Sequence, residues 1–257
     1  MDANETTQTS RMMDSQLEFG YQLVQNANVL RNASENMVNY AVARHNMVES
    51  QVRPNGITDH RIIAAMAVVA REDFVPVVRK SIAYLDEDIL LKPGARGQAR
   101  YLIEPMAFAR MVHLASIKPT DHVLIIGVGT GYGARVVASL ARFVVGLESD
   151  AELAGLAAAG VRSCPNVRIV EGNLVDGHAA SGPYDVILIE GRIPRFPDGL
   201  FMQLANGGRV VAAIGDGDVS KIMVATLNDG HRSERSAFDV SIAPLPGFSA
   251  TPPVFVF

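Results

Sequence analysis

The sequence predicts an α/β fold, a mostly parallel sheet closed by a C-terminal antiparallel hairpin. Three observations carry that expectation. His122–Ile126 is an unbroken apolar run, as expected of a strand buried on both faces, and it passes straight into a glycine-rich turn and an Ala/Val helix. Strands then alternate with helical stretches: 143–147, 167–170, 184–189 and 208–213 read as strands, 132–141 and 151–160 as helices. After Gly217 the pattern changes to two strands, 221–227 and 235–243, around Asn228-Asp229-Gly230, a hairpin signal.

Upstream, residues 1–16 are polar and aperiodic and read as a disordered tail. Apolar residues from Leu23 to Ala41 fall at helical spacing, giving one or two amphipathic helices. Met37 is a second plausible start, so the first 36 residues are a candidate over-called N-terminus. Pro54-Asn55-Gly56 is a turn, and Thr58 or Asp59 offers an N-cap to a helix carrying Ile62, Ile63, Met66 and Val69. Residues 82–104 read as an irregular segment punctuated by Pro93, Gly94 and Gly97, and Pro105 opens the next helix. The division expected is an N-terminal extension, 1–45, ahead of one domain, 46–257.

Composition excludes several classes. Of the 257 residues 48% are hydrophobic and 19% charged, which is globular rather than disordered. With 27 acidic against 23 basic residues there is no electrostatic case for nucleic acid or an anionic membrane. One cysteine, Cys164, forms neither an internal disulfide nor a multi-cysteine metal site. The six histidines show no paired spacing, so no metal is expected, and no serine sits in a nucleophile elbow. The first ten residues have neither a basic nor an apolar segment, against a signal peptide, and a cytoplasmic location is expected.

The chemistry is concentrated at Gly127-Val-Gly129-Thr130-Gly131-Tyr132. Between a buried strand and a helix, such a turn brings backbone N–H groups up to a ligand at the carboxyl edge of the sheet. A dinucleotide fingerprint would place its third glycine at 132, where Tyr stands. The spacing resembles motif I of class I S-adenosylmethionine-dependent methyltransferases. Glu148, 19 residues beyond Gly129 at the end of the next strand, is a carboxylate placed to accept from ribose hydroxyls. Asn173 after the third strand is competent to read an adenine edge. Glu190, ending the fourth strand, is a further polar candidate.

The chain then resembles a family more closely, the protein-L-isoaspartate (D-aspartate) O-methyltransferases. Besides Val123–Tyr132, the resemblance runs through Met47–Arg53, Gly56-Ile57, Arg71-Glu-Asp-Phe-Val-Pro76 and Ala83-Tyr84. Downstream it continues with Gly172, Gly177, Pro183-Tyr184-Asp185, Gln203-Leu204 and Gly207-Gly208-Arg209. It covers about residues 46–215, and the tail 244–248 with 255–257 resembles a bacterial subgroup. It implies a Rossmann-like methyltransferase fold, S-adenosyl-L-methionine as cofactor, and a protein or peptide substrate. It also implies cofactor contacts at Gly127, Gly129, Thr130, Gly131, Tyr132, Glu148, Asn173 and Glu190.

Three departures bear on function. Ile125 stands where the family has an acid that helps hold the cofactor's methionine end. Losing one charge-assisted contact costs ~1.5–3 kcal/mol. Asn173 replaces an acid but keeps an acceptor. The family's Ser before the proline is absent: the segment Gly97–Pro105 carries two extra residues and has Ile103 there. Arg100 and Tyr101 are the substitutes expected to bind a substrate carboxylate. Methyl transfer to an ionised carboxylate needs alignment rather than a base. The reading from a different class is a catalytically degenerate protein acting as a binding or scaffold module, with residues 17–45 docking a protein partner.

Overall fold

In a computed structural model, the structure describes residues 39–94, 98–217 and 219–248. The expected tail, most of the amphipathic 17–45 stretch, Met37 and residues 255–257 lie outside them.

Seven strands form the main sheet: β3 (His122–Ile126), β4 (Phe143–Glu148), β5 (Val167–Glu171), β6 (Tyr184–Ile193), β7 (Leu204–Ile214), β8 (Ser220–Asn228) and β9 (His231–Val240). Their order is β5-β4-β3-β6-β7-β8-β9. The first five are mutually parallel and β7–β8–β9 antiparallel, as the hairpin signal implied. The order reverses at β3, so the cleft outside the carboxyl ends of β3, β4 and β6 is the place where a ligand is expected.

Alternation along the strands sorts side chains onto two faces. Val123 and Ile125 join one apolar cluster with Leu188 and Val211, and Leu124 and Ile126 join another with Ile187 and Val210. The first face is covered by α1 (Tyr40–Met47), α2 (His60–Val68), α3 (Pro105–Ala115) and α4 (Tyr132–Val137), with Leu153 and Ala157 of α5 (Ala151–Gly160). The second is covered by α6 (Asp198–Phe201), Leu174, Phe196 and Leu245. Asp59 caps α2 by accepting from the Arg61 N–H at 2.8 Å, and Gly56 takes φ +78° at the predicted turn.

One element departs from expectation. The segment read as irregular contains a separate two-stranded sheet, β1 (Ile89–Lys92) against β2 (Arg100–Leu102), antiparallel, with Leu90 opposite Tyr101. Strands of four and three residues are too short to show a period. Helix α4 is likewise shorter than the 132–141 stretch read from the sequence.

Candidate functional site

The cradle is built by the turn after β3. The N–H groups of Gly127 and Val128 both donate to the Leu147 carbonyl, at 2.9 and 3.1 Å, which fixes the turn against β4. Gly127, Gly129 and Gly131 take φ of +78°, +56° and +96°. Side chains rarely adopt that region, so glycine is needed at all three. A Cβ on Gly133 would overlap the Glu190 carboxylate, so a side chain at the start of α4 would force Glu190 to move.

Glu148 ends β4 fully buried. Its carboxylate accepts from the N–H groups of Gly129 (2.8 Å), Ser149 (2.8 Å) and Asp150 (3.1 Å). These donors hold the buried carboxylate at the edge of the turn. Gly172 N–H donates to the Glu148 carbonyl at 2.9 Å, which brings Asn173 to the same edge. Asn173 itself is exposed and bonded locally, donating to Asp176 at 2.8 Å.

The remaining acceptor capacity of Glu148 is taken by the chain itself. Both terminal nitrogens of Arg100 reach it, Nη1 on Oε1 and Nη2 on Oε2 at 2.9 Å, and Nη2 also donates to the Gly127 carbonyl at 3.1 Å. The Arg100 fork is thus spent inside the protein, with 5% of its side chain exposed, and Tyr101 beside it is half-buried. Two leucines complete the closure. Leu91 lies 2.9 Å from where a Cβ of Gly129 would stand, and Leu245 lies 2.7 Å from that of Gly127. What remains between Arg100, Tyr101, Ile103, Glu190 and Leu245 is a cavity of about 10 Å³, room for about one water. A nucleoside needs hundreds of Å³. The cradle has the chemistry for the cofactor that the resemblance implies, but the arrangement described does not admit it.

Thr130 and Tyr132 anchor the turn from behind. The Thr130 hydroxyl donates to the Phe74 carbonyl at 2.5 Å. The buried Tyr132 ring packs against Phe74 and Phe108, with the Arg71 guanidinium 4.9 Å from its centroid. Ile125 is fully buried in the apolar cluster. The neighbouring strand supplies a carboxylate on the same face: Leu188 pairs with Ile125, and Glu190 stands two residues further along. Burial pushes the Glu190 carboxyl up to about 8, although Arg100 and Arg71 pull it back. Its Oε1, the Tyr132 hydroxyl and Arg71 Nη1 are buried without hydrogen-bond partners among the described residues.

Sequence reasoning missed Glu104, directly before Pro105. Burial, with Asp86 and Asp88 nearby, pushes it up to about 7. Its only sequence signal is the excess of acids at 86–88, whose proximity is tertiary. Asp88 accepts from the Glu104 N–H at 3.0 Å and the Ala243 N–H at 2.8 Å, so one side chain joins two distant segments. Among the described residues no group of three or more His, Cys, Asp or Glu could hold a metal, and no helix is long and apolar enough to cross a membrane.

Comparison with known proteins agrees with this architecture. The family model described as protein-L-isoaspartate(D-aspartate) O-methyltransferase matches residues 43–248. A protein-L-isoaspartate O-methyltransferase of Koribacter versatilis is 36% identical over 217 residues, 84% of this chain and 96% of that protein. One from Methanoculleus marisnigri is 34% identical over 209 residues, 79% of this chain and 91% of that protein. Two solved structures share the fold. A protein-L-isoaspartate O-methyltransferase superposes with TM-score 0.69 at 23% identity, over 79% of this chain and 66% of that one. A putative protein-L-isoaspartate O-methyltransferase of Plasmodium falciparum, in complex with S-adenosyl-L-homocysteine, gives 0.67 at 20% identity, over 79% of this chain and 98% of that one. The fold is the Rossmann-like methyltransferase fold, and the chain belongs to the protein-L-isoaspartate(D-aspartate) O-methyltransferase family.

Proposed function

We propose that this chain transfers a methyl group from S-adenosylmethionine to isoaspartyl carboxylates of proteins or peptides, in the cytoplasm. The observation that carries the reading is the carboxylate of Glu148. It is held by three backbone N–H groups beside a turn whose glycines need positive φ, in a chain of this family. Identity above 30% across nearly the whole length of the relatives does not favour a scaffold that has lost its chemistry.

Within this reading, Glu148 meets the ribose hydroxyls of the donor and Asn173 the adenine edge. Glu190 supplies the acid absent at Ile125, and the ammonium of the donor favours its ionised form. The acceptor is already ionised near neutral pH, so the chain's task is orientation and the exclusion of water rather than proton abstraction. Tyr101, half-buried next to the cavity, is the hydroxyl assigned to orienting the acceptor.

The test is methyl-ester formation with labelled donor on an isoaspartyl peptide and on its aspartyl twin. Label on the isoaspartyl peptide alone supports the reading. Donor binding without label on either peptide overturns the substrate assignment.

A further inference from the structure

The closure of the cleft is specific in its chemistry. The three features that make the cradle fit for a nucleoside are each met by a side chain from one of two segments outside the main sheet. The acceptor, Glu148, is met by a guanidinium fork from β2. The bare surface of Gly129 is met by Leu91 of β1, and that of Gly127 by Leu245. We propose that Arg100, with Leu91 and Leu245, is an internal occupant of the nucleoside cleft, a latch that the methyl donor must displace. This rests on the function proposed above and adds a gate to it.

Three physical points support a latch rather than a permanent plug. First, the occupying segments are separate from the main sheet, packed on it through Ile89, Leu91 and Leu102 in one apolar cluster and Leu245 in the other. The β1–β2 pair is its own two-stranded sheet. Its surface tie is Lys92, half-exposed, on Asp150 and Glu152 at 2.7 and 2.8 Å, and such bridges contribute little. The Leu245 segment is held by two backbone bonds with Arg192, at 2.9 and 2.8 Å, by Arg192 Nε donating to the Ile242 carbonyl at 3.1 Å, by the Asp88 contact at Ala243 and by burial of Leu245 itself. Second, Glu148 keeps three backbone N–H donors when Arg100 leaves, so its charge is not stranded, and ribose hydroxyls replace the two guanidinium bonds. Third, one residue joins the two halves of the latch: Asp88, which opens into β1, bonds Ala243 two residues before Leu245. Movement of one segment therefore pulls on the other.

The consequence is a tax on donor affinity. A ligand that binds only the open form sees its dissociation constant divided by the open fraction. Weakening the latch raises that fraction and tightens binding. A residue that contacted the donor or the substrate would act in the opposite sense.

The experiment is calorimetric titration of the full chain with S-adenosylhomocysteine, for the wild type, Arg100→Met and Leu245→Ala. Thermal melts establish that each variant is folded. The latch predicts that Arg100→Met binds about 10- to 100-fold more tightly than wild type, and Leu245→Ala more tightly by a smaller factor. Equal or weaker binding by the folded variants, with wild type binding, overturns the latch and leaves the methyltransferase reading standing. No binding by any of the three at millimolar ligand overturns the methyltransferase reading, and the latch with it.

Should Arg100→Met fail to fold, hydrogen exchange on the wild type decides alone. With saturating ligand, the amides of Arg100–Leu102 and Ala243–Leu245 should exchange faster while those of Gly129–Tyr132 slow. Protection of all of them contradicts displacement.

Discussion

Two parts of the cleft differ in how they are made. The cradle, Gly127–Gly131 with Glu148, is held by backbone: two N–H groups on Leu147, three on the Glu148 carboxylate, and glycines at positive φ. The cover, β1–β2 and the Leu245 segment, is held by side chains that reach over from short, separate elements. The lesson is that the cradle is fixed by its own backbone, whereas Arg100, Leu91 and Leu245 of the cover lie where a nucleoside would lie.

Substitutions on the two sides of the contact should therefore have unequal effects. Glu148→Ala removes the acid paired with a buried guanidinium and leaves three backbone N–H groups empty. We expect a loss of about 3–5 kcal/mol in urea unfolding, the range for an orphaned buried charge. Arg100→Met leaves Glu148 on its N–H donors and should cost less, about 1–3 kcal/mol. A reversed order would break the distinction between cradle and cover.

Glu190 gives a pH test at the boundary of the two. Its folded carboxyl is raised from 4.5 to about 8 by burial, so the protonated form suits the folded state. The stability it lends is full below about pH 4.5 and lost as pH rises to about 8, with Glu104 adding a loss that ends near 7. Glu190→Gln should flatten that decline and raise stability at pH 8 by on the order of 1–3 kcal/mol. An unchanged melting profile between pH 5 and pH 8 (about three units) would show that the carboxyl is not held protonated by the fold. The smallest effect belongs to Lys92→Ala at the rim of the cover, where exposure and salt screening leave no measurable change in melting temperature.

The cradle was legible because its signals are local. A buried apolar run, glycines at fixed spacing and an acid at the end of the next strand lie within Val123–Glu148, and the structure brings them together. The five parallel strands and the closing hairpin were legible for the same reason, since each carries its own apolar run or turn. The cover was not. Arg100 meets Glu148 across 48 positions of chain, and Ala243 meets Asp88 across 155, so no window holds both partners. Ile125 and Ile103 were visible as departures from the family pattern, whereas the same-face carboxylate at Glu190 needed the β3–β6 register to relate it to Ile125. Thr130 and Tyr132, expected in contact with the cofactor, spend their side chains on Phe74, Phe108 and Arg71.

The most direct test is a crystal structure of the full chain grown with saturating S-adenosylhomocysteine. The account predicts ribose hydroxyls on both oxygens of Glu148, the Arg100 guanidinium withdrawn, and Leu245 moved off Gly127. Ligand bound elsewhere, or bound with the Arg100–Glu148 pair intact, would contradict it.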